Sequence, residues 1–193
     1  MQGEVVGIGW QPPRPLGVKR WLTAEDLLAM GKAFHGELVE GRLTPMTPAG
    51  MKHGIVAQNL AYCLETWRRQ ARPDLRVVAG EAGYWIRRDP DTVRAPDVAL
   101  VSAARSEGVT GFLTGAPEHA FEVLSPTDRA ADVREKLADY FAAGGISVWV
   151  VDCGARTVTV WHAGAQASTF GGDETATDLA LAGLGVPLAE LFR

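Results

Sequence analysis

The order in which two kinds of hydrophobic periodicity follow one another restricts most strongly how this chain can fold. Apolar residues fall on one helix face over residues 53–70 and again over residues 128–143, which predicts two amphipathic helices. Short segments with strand-like patterns lie between and after them. We predict strands at residues 75–79, 83–87, 95–101, 120–124, 147–152 and 156–162, with a weak one at 167–170. Helices and strands in this order favour an α/β (α+β) fold, in which a mixed β-sheet is flanked by helices.

Local signals place three further elements. Thr23 and Asp26 have the spacing of a capping box, which predicts a short helix that ends near Met30. Residues 37–43 alternate between polar and apolar types and contain a glycine, which predicts a hairpin. We expect a last short helix at residues 188–192.

Length and composition indicate a single domain. The chain has 193 residues, of which 47% are hydrophobic and 22% charged, close to the averages for globular proteins. Residues 1–20 are rich in Gly, Pro and Arg and have no periodicity. We therefore expect an irregular N-terminal arm over residues 1–20 and one domain over residues 21–193.

The charge balance counts mildly against a large nucleic-acid-binding surface. Nineteen Lys and Arg residues stand against 23 Asp and Glu residues, for a net charge of −4, whereas nucleic-acid-binding domains usually carry a basic excess. A nuclease is still compatible with this charge. It needs positive charge only where phosphate lies, and its carboxylates attract metal ions.

Cysteine usage and hydropathy indicate a cytoplasmic protein. Cys63 and Cys153 match no zinc-binding spacing and are typical of core thiols in a reducing compartment. The apolar runs are too short to cross a bilayer. Prolines interrupt the N-terminal region where a signal peptide would need an apolar stretch. We therefore expect no membrane partner.

Two carboxylates lie in predicted strands among apolar neighbours. Asp97 leads the segment Asp97-Val98-Ala99-Leu100-Val101, and Glu122 alternates with Phe121 and Val123. A buried carboxylate is costly unless it is paired or binds a metal. Two such residues on separate strands therefore favour a hard-cation site. The alternatives are that Asp97 accepts backbone hydrogen bonds in a turn and that Glu122 lies on an exposed edge of the sheet.

Lys136 and Glu37 are the other polar residues placed to join this site. Lys136 borders the apolar stripe of the second helix, so its long side chain can reach the sheet. A surface ion pair with Asp132, four residues earlier, is the alternative. Glu37 lies in the predicted hairpin and offers a third carboxylate, although an ordinary half-exposed position would also explain it.

Six blocks of sequence, taken together, resemble the Uma-two family of restriction endonucleases, in the PD-(D/E)XK nuclease superfamily. The resemblance runs in order from about Leu22 to Phe192 and rests on ELVEGRL, TPAGMKHG, APDVALVS, FEVLSPT, ADVREKLADYFAAG and VWVVD. The superfamily lysine would stand two residues after the acid, where this chain has Leu124. Gly36 replaces the aromatic residue expected before Glu37.

The resemblance implies a role for each matching residue. Asp97 and Glu122 correspond to the motif acids and Glu37 to an additional metal-binding glutamate, so these three would hold Mg²⁺ or Mn²⁺. The lysine has moved to the following helix in this family, which makes Lys136 the catalytic lysine. Supporting positions match at His53, Asp132 and Tyr140. For His53, contact with phosphate and a merely structural place near the helix start are both open.

The resemblance also implies a reaction and a partner. We expect a metal-dependent endonuclease that hydrolyses phosphodiester bonds of double-stranded DNA. Apart from the resemblance, we expect a homodimer, because paired sites can address both strands and two-fold oligomers are common. Arginines are the candidates for steering the nucleic-acid backbone: Arg87, Arg88, Arg94, Arg129 and Arg134. A non-catalytic nucleic-acid-binding or regulatory module and a hydrolase of small phosphodiesters are the alternatives.

Overall fold

Helices and strands alternate along the chain largely as the periodicity predicts. The computed structural model describes residues 21–193, so the predicted arm at residues 1–20 lies outside the described residues. The helices are α1 (Ala24–Met30), α2 (Met51–Ala71), α3 (Ala103–Ser106), α4 (Ala130–Ala142) and α5 (Leu188–Leu191), with a 3-10 turn at Gly31–Ala33. None of the helices in this part of the chain is long and apolar enough to span a membrane.

The strands form two larger sheets where the sequence predicted one. They are β1 (Gly36–Val39), β2 (Arg42–Pro45), β3 (Leu75–Ala79), β4 (Tyr84–Arg87), β5 (Thr92–Arg94), β6 (Val98–Ser102), β7 (Leu113–Thr114), β8 (His119–Leu124), β9 (Ser147–Asp152), β10 (Thr157–His162), β11 (Ser168–Phe170), β12 (Thr175–Ala176) and β13 (Val186–Pro187). The first sheet has the order β2-β1-β5-β4-β7 and the second β11-β10-β9-β8-β6-β3, while β12 and β13 pair separately. Both larger sheets contain parallel and antiparallel pairs, so the predicted α/β (α+β) class with mixed sheets and flanking helices is confirmed.

The parallel pair β8 and β9 determines where α4 lies. Parallel neighbours need a crossover connection, usually a helix, and α4 is the helix that connects these two strands. Its Leu137 and Tyr140 are buried with Ala120 of β8 and Val148 of β9. The crossover therefore fixes the inner face of α4 against the middle of the second sheet.

The main core lies between α2 and the second sheet. Val56, Leu60 and Leu64 of α2 are fully buried and belong to the same apolar cluster as Phe121 and Trp149, whose ring centroids are 5.4 Å apart. These α2 positions follow the helical spacing seen in the sequence. The packing fixes the first turn of α2 beside the start of β6.

A buried polar cluster joins the C-terminal part of the chain to the second sheet. Asp178 accepts hydrogen bonds from the Ser147 hydroxyl (2.6 Å) and the Trp149 indole (2.8 Å), and His162 Nε2 lies 2.8 Å from its other oxygen. His119 Nδ1 is 2.7 Å from the Ser147 hydroxyl oxygen. Because that hydroxyl donates its hydrogen to Asp178, Nδ1 of His119 is the donor in this contact.

The protonation of His119 should make the fold less stable in acid. Burial lowers the pKa of His119 from 6.5 to about 4, so the folded protein keeps this ring neutral while the unfolded chain can protonate it. Between about pH 6.5 and pH 4 the unfolded state binds more protons. As the pH is lowered from about 6.5 to about 4, the free energy of unfolding should therefore decrease by roughly 3 kcal/mol because of His119.

A matched variant isolates this contribution from the other titrating groups. His119→Gln keeps a polar side chain but does not titrate, so its free energy of unfolding should lack this part of the pH dependence. We expect urea denaturation to show that the difference in free energy of unfolding between wild type and variant narrows as the pH falls from neutral to about 4. A difference that stays constant would contradict the assignment.

Candidate active site

Most of the predicted site residues line one cleft of about 660 Å³. Its walls are residues 44–50, the first turn of α2, residues 125–128 and the side of α4 that carries Asp132, Glu135 and Lys136. Seven carboxylate side chains line it: Glu37, Glu81, Asp97, Glu122, Asp128, Asp132 and Glu135. Among residues 21–193, the lining contains two permanent cations, Arg94 and Lys136. This excess of negative charge attracts cations and repels a phosphate that has no counter-ion.

Strand register places Asp97 directly beside Glu122. β6 and β8 are antiparallel neighbours with Val98 opposite Phe121, so the preceding residue, Asp97, is opposite Glu122. The Val123 backbone N–H donates a 2.7 Å hydrogen bond to Asp97 Oδ2. Glu122 is 6% exposed, which excludes the exposed edge position considered from the sequence. The two carboxylates therefore lie side by side at the cleft.

Two residues of α4 contact the Glu122 carboxylate. The Lys136 ammonium lies 2.9 Å from Oε2, and the Tyr140 hydroxyl donates a 2.7 Å hydrogen bond to Oε1. Lys136 and Tyr140 are four apart and so share one helix face. Burial raises the pKa of the Glu122 carboxyl, and the neighbouring Glu37 and Asp97 raise it further against the opposing effect of Lys136.

Lys136 is a fixed cation at the centre of the acidic residues. Its ammonium also lies 3.5 Å from Glu37 Oε1, and within residues 21–193 its ion pairs are with Glu122 and Glu37 rather than with Asp132. Burial alone would lower the pKa of Lys136. The carboxylates of Glu122 and Glu37 outweigh that effect and raise it well above its usual value, so Lys136 stays protonated at neutral pH.

Arg94 of β5 forms ion pairs with Glu37 of β1 and with two carboxylates of α4. Its guanidinium lies 2.9 Å from Glu37 Oε2 and 2.6 Å from both Glu135 and Asp139, while the Ala95 N–H donates to Glu37 Oε1. Arg94 is 4% exposed. This burial does not fit the predicted role of Arg94 in steering the nucleic-acid backbone, because a guanidinium that bridges three carboxylates must leave them to contact a phosphate. Sequence reasoning did not identify Glu135 or Asp139, although both lie on the helix that carries Lys136.

His53 contacts the remaining oxygen of Asp97. Its Nε2 lies 3.2 Å from Asp97 Oδ1, with both side chains mostly buried. The hydrogen bond to Asp97 raises the pKa of His53, and burial opposes it. Packing of α2 on the core places His53 at the cleft rather than at the surface. His53 therefore orients Asp97 and extends the polar lining towards solvent.

The other predicted residues lie further out. Asp132 is exposed on the cleft wall. Arg87 pairs with Glu40 at 3.0 Å, and Arg88 stacks on the Trp85 ring at 3.6 Å from its centroid. Four predicted arginines are exposed and are not part of the cleft lining: Arg87, Arg88, Arg129 and Arg134. Contacts between these four and a nucleic-acid backbone stay a prediction.

The donor set fits a divalent cation. Magnesium is usually held by one or two carboxylates together with water and substrate oxygens, and Asp97 and Glu122 supply two adjacent carboxylates. Each of these four carboxylate oxygens has one hydrogen-bond or ion-pair partner in the protein. A second lone pair on each oxygen is therefore left for an ion. Across residues 21–193, no group of three or more His, Cys, Asp or Glu side chains is arranged to hold an ion. Glu37 and Glu122 both lie next to the Lys136 ammonium.

Comparison with known proteins identifies a family and a related fold. A family model described as "Uma2: Putative restriction endonuclease" matches residues 24–189. A crystal structure from Anabaena variabilis ATCC 29413, described as "a putative nuclease belonging to DUF820", is similar with a TM-score of 0.74 and 18% sequence identity. The match covers 89% of this chain and 97% of that chain, and at this identity it shows the fold. No curated protein matches.

Proposed function

Because the chain belongs to the Uma2 family, as its sequence motifs predicted, we propose that it is a divalent-metal-dependent nuclease that hydrolyses DNA phosphodiester bonds. One observation carries this proposal: Asp97 and Glu122 oppose each other on adjacent strands in a strongly acidic cleft, next to the Lys136 ammonium. An acidic cleft of this kind repels phosphate unless a cation is present. The reaction we propose therefore depends on a divalent cation for binding as well as for chemistry.

Asp97 and Glu122 are the residues that would hold Mg²⁺ or Mn²⁺, with Glu37 as a third donor. When bound, such an ion supplies a Lewis acid for the phosphate and lowers the pKa of a water molecule. The protein's own contribution is to fix the carboxylates. Val123 N–H and His53 hold Asp97, Tyr140 holds Glu122, and Arg94 holds Glu37.

Lys136 would act as a cation rather than as a base. Because nearby carboxylates raise its pKa, it has no lone pair to accept a proton at neutral pH. An ammonium at this position can donate hydrogen bonds to the attacking water and neutralise charge that develops on the phosphate. Its three donors allow contact with Glu122 and substrate together.

A metal titration with supercoiled plasmid tests the proposal. We expect nicking by the wild-type protein in Mg²⁺ or Mn²⁺ and none in EDTA. Lys136→Ala should lower the nicking rate by about 10²- to 10³-fold, the usual effect of removing one donor to a developing negative charge. Lys32→Ala is the matched control, because Lys32 is exposed on the 3-10 turn and is not part of the cleft lining.

The same experiment separates the rival activities. Absence of nicking with either ion, or equal rates for wild type and Lys136→Ala, would overturn the proposed mechanism. Hydrolysis of bis(p-nitrophenyl) phosphate without plasmid nicking would indicate a hydrolase of small phosphodiesters. DNA binding that persists without any hydrolysis would indicate a non-catalytic module.

We extend the proposal to a homodimer that cuts both strands of a duplex. Each chain offers one candidate site, so a double-strand break in a single encounter requires two chains, and two-fold pairs are the common solution. Sedimentation equilibrium should give twice the 20.6 kDa mass of one chain. A monomer, together with nicks that never convert directly to linear plasmid, would contradict the dimer and leave cleavage itself intact.

A further inference from the structure

A second cavity of about 240 Å³ adjoins the acidic cleft. Met46, Glu81 and Ala95 line both, so the cavity and the cleft share a rim. Gly36, which lines the cavity, immediately precedes Glu37, and Val93 and Ala95 flank Arg94. A molecule with a phosphate in the cleft would therefore bring its neighbouring atoms to the mouth of this cavity.

The wall of the cavity is apolar and contains two aromatic rings. Phe34 and Phe112 are half-buried and line it. A Cβ at Gly83 would lie 2.3 Å from the Phe112 ring, and one at Gly36 would lie 2.8 Å from the Phe34 ring. Gly83 thus leaves room for the Phe112 ring against the backbone. At Gly36, where the family leads one to expect an aromatic side chain, a Cβ would also lie 2.2 Å from the Thr44 carbonyl oxygen.

The polar groups of the cavity lie at its rim. His35 Nε2 is 2.6 Å from Glu81 Oε2, which neutralises the carboxylate nearest the shared rim when the imidazole is protonated. At Gly31 and Gly80 no atom lies within 4 Å of a Cβ position, so backbone there borders open space. Two aromatic rings in the lining, combined with a polar rim, suit a flat group with an apolar face and a hydrogen-bonding edge. They do not suit a phosphate.

We propose that this cavity receives an unstacked nucleobase of the strand whose phosphate lies in the cleft. The inference rests on the proposed nuclease function and adds a substrate class: nucleic acid with an unpaired base beside the scissile bond. Such a base can come from a single strand or from a duplex base turned out of the stack. Stacking on an aromatic side chain would contribute roughly ten-fold or more to affinity.

Binding of a base-bearing and a base-free strand tests the cavity. The probes are a fluorescein-labelled oligothymidylate and an abasic oligomer of equal length, measured by anisotropy in Ca²⁺, which binds carboxylates with looser geometry than Mg²⁺. Wild type should bind the oligothymidylate at least about ten-fold more tightly than the abasic strand. Phe112→Ala should remove most of that preference. Phe170→Ala, a half-buried phenylalanine on β11 outside both cavities, should retain it.

A photochemical readout on the wild-type chain covers the case in which Phe112→Ala does not fold. An oligonucleotide that carries 5-iodouracil should cross-link to Phe34 or Phe112 on irradiation, as mapped by mass spectrometry. Equal binding of the two strands, or adducts only outside the cavity, would overturn the inference even if plasmid nicking persists. Failure of nicking in every metal would overturn the proposed function instead. In that case the preference for the base-bearing strand in Ca²⁺ still tests whether the cavity binds a nucleobase.

A duplex with one 2-aminopurine distinguishes the two sources of the base. Its fluorescence rises when the analogue leaves the stack. A rise on binding that Phe112→Ala abolishes indicates a base turned out of a duplex. An unchanged signal, together with the preference for base-bearing single strands, indicates a single-stranded source.

Discussion

Replacing Asp97 with asparagine should lower the rate of metal-dependent plasmid nicking by about 10³-fold or more. The amide keeps the size of the side chain and can still accept the Val123 N–H hydrogen bond. It removes one of the two adjacent negative charges that would hold the ion. Loss of several kcal/mol of transition-state stabilisation by a metal corresponds to a rate effect of about this size.

The control and the second readout separate a loss of metal from a loss of fold. Asp74→Asn makes the same chemical change at an exposed carboxylate outside the cleft, paired with Arg72, and should nick at the wild-type rate. Calorimetric Mn²⁺ binding should weaken for Asp97→Asn and stay unchanged for Asp74→Asn. Unchanged Mn²⁺ affinity in Asp97→Asn would remove Asp97 from the ligand set.

Glu122→Gln should have an effect similar to that of Asp97→Asn, and the double variant should be little worse than either single one. Residues that act as one unit give strongly non-additive losses. Additive losses in the double variant would indicate that the two carboxylates act at separate sites, contrary to their opposed register on β6 and β8.

The sequence predicts α2, α4 and β8 well because these elements lie in strongly periodic segments. Helical spacing identifies α2 and α4, and alternation identifies β8, which places Glu122 on the face opposite Phe121 and Val123. The split into two sheets was not predicted. β5 has three residues and β7 has two, and strands this short carry little periodicity of their own.

The side-chain partners of the site are less accessible from sequence. The sequence leaves open that Asp97 accepts backbone hydrogen bonds in a turn. It does accept a backbone hydrogen bond, but from Val123, which is 26 residues away. Such a partner depends on strand register, which local patterns do not determine. The sequence predicts a contact between Arg94 and the nucleic-acid backbone, which would need an exposed guanidinium, as arginines usually have. Its burial depends on carboxylates from β1 and α4 that only the tertiary fold brings together.

Arg94→Ala should be the most destabilising single change near the site, lowering the free energy of unfolding by about 3–5 kcal/mol. The side chains of Arg94 and Glu37 are 5% and 3% exposed. Without the guanidinium, the buried Glu37 carboxylate keeps the Ala95 N–H and the more distant Lys136 ammonium. The cost comes mainly from the charge left without its close partner, rather than from the lost attraction itself.

Variants of the exposed partner and of the pair test that reasoning in urea denaturation. Glu135→Ala removes a partner that is 55% exposed, so it should cost less than about 1 kcal/mol. Adding Glu37→Gln to Arg94→Ala removes the stranded charge and should recover part of the stability. Nicking should stay low in the double variant, because Glu37 is then no longer an anionic donor. A double variant less stable than Arg94→Ala alone would contradict the explanation that the cost comes from the stranded Glu37 charge.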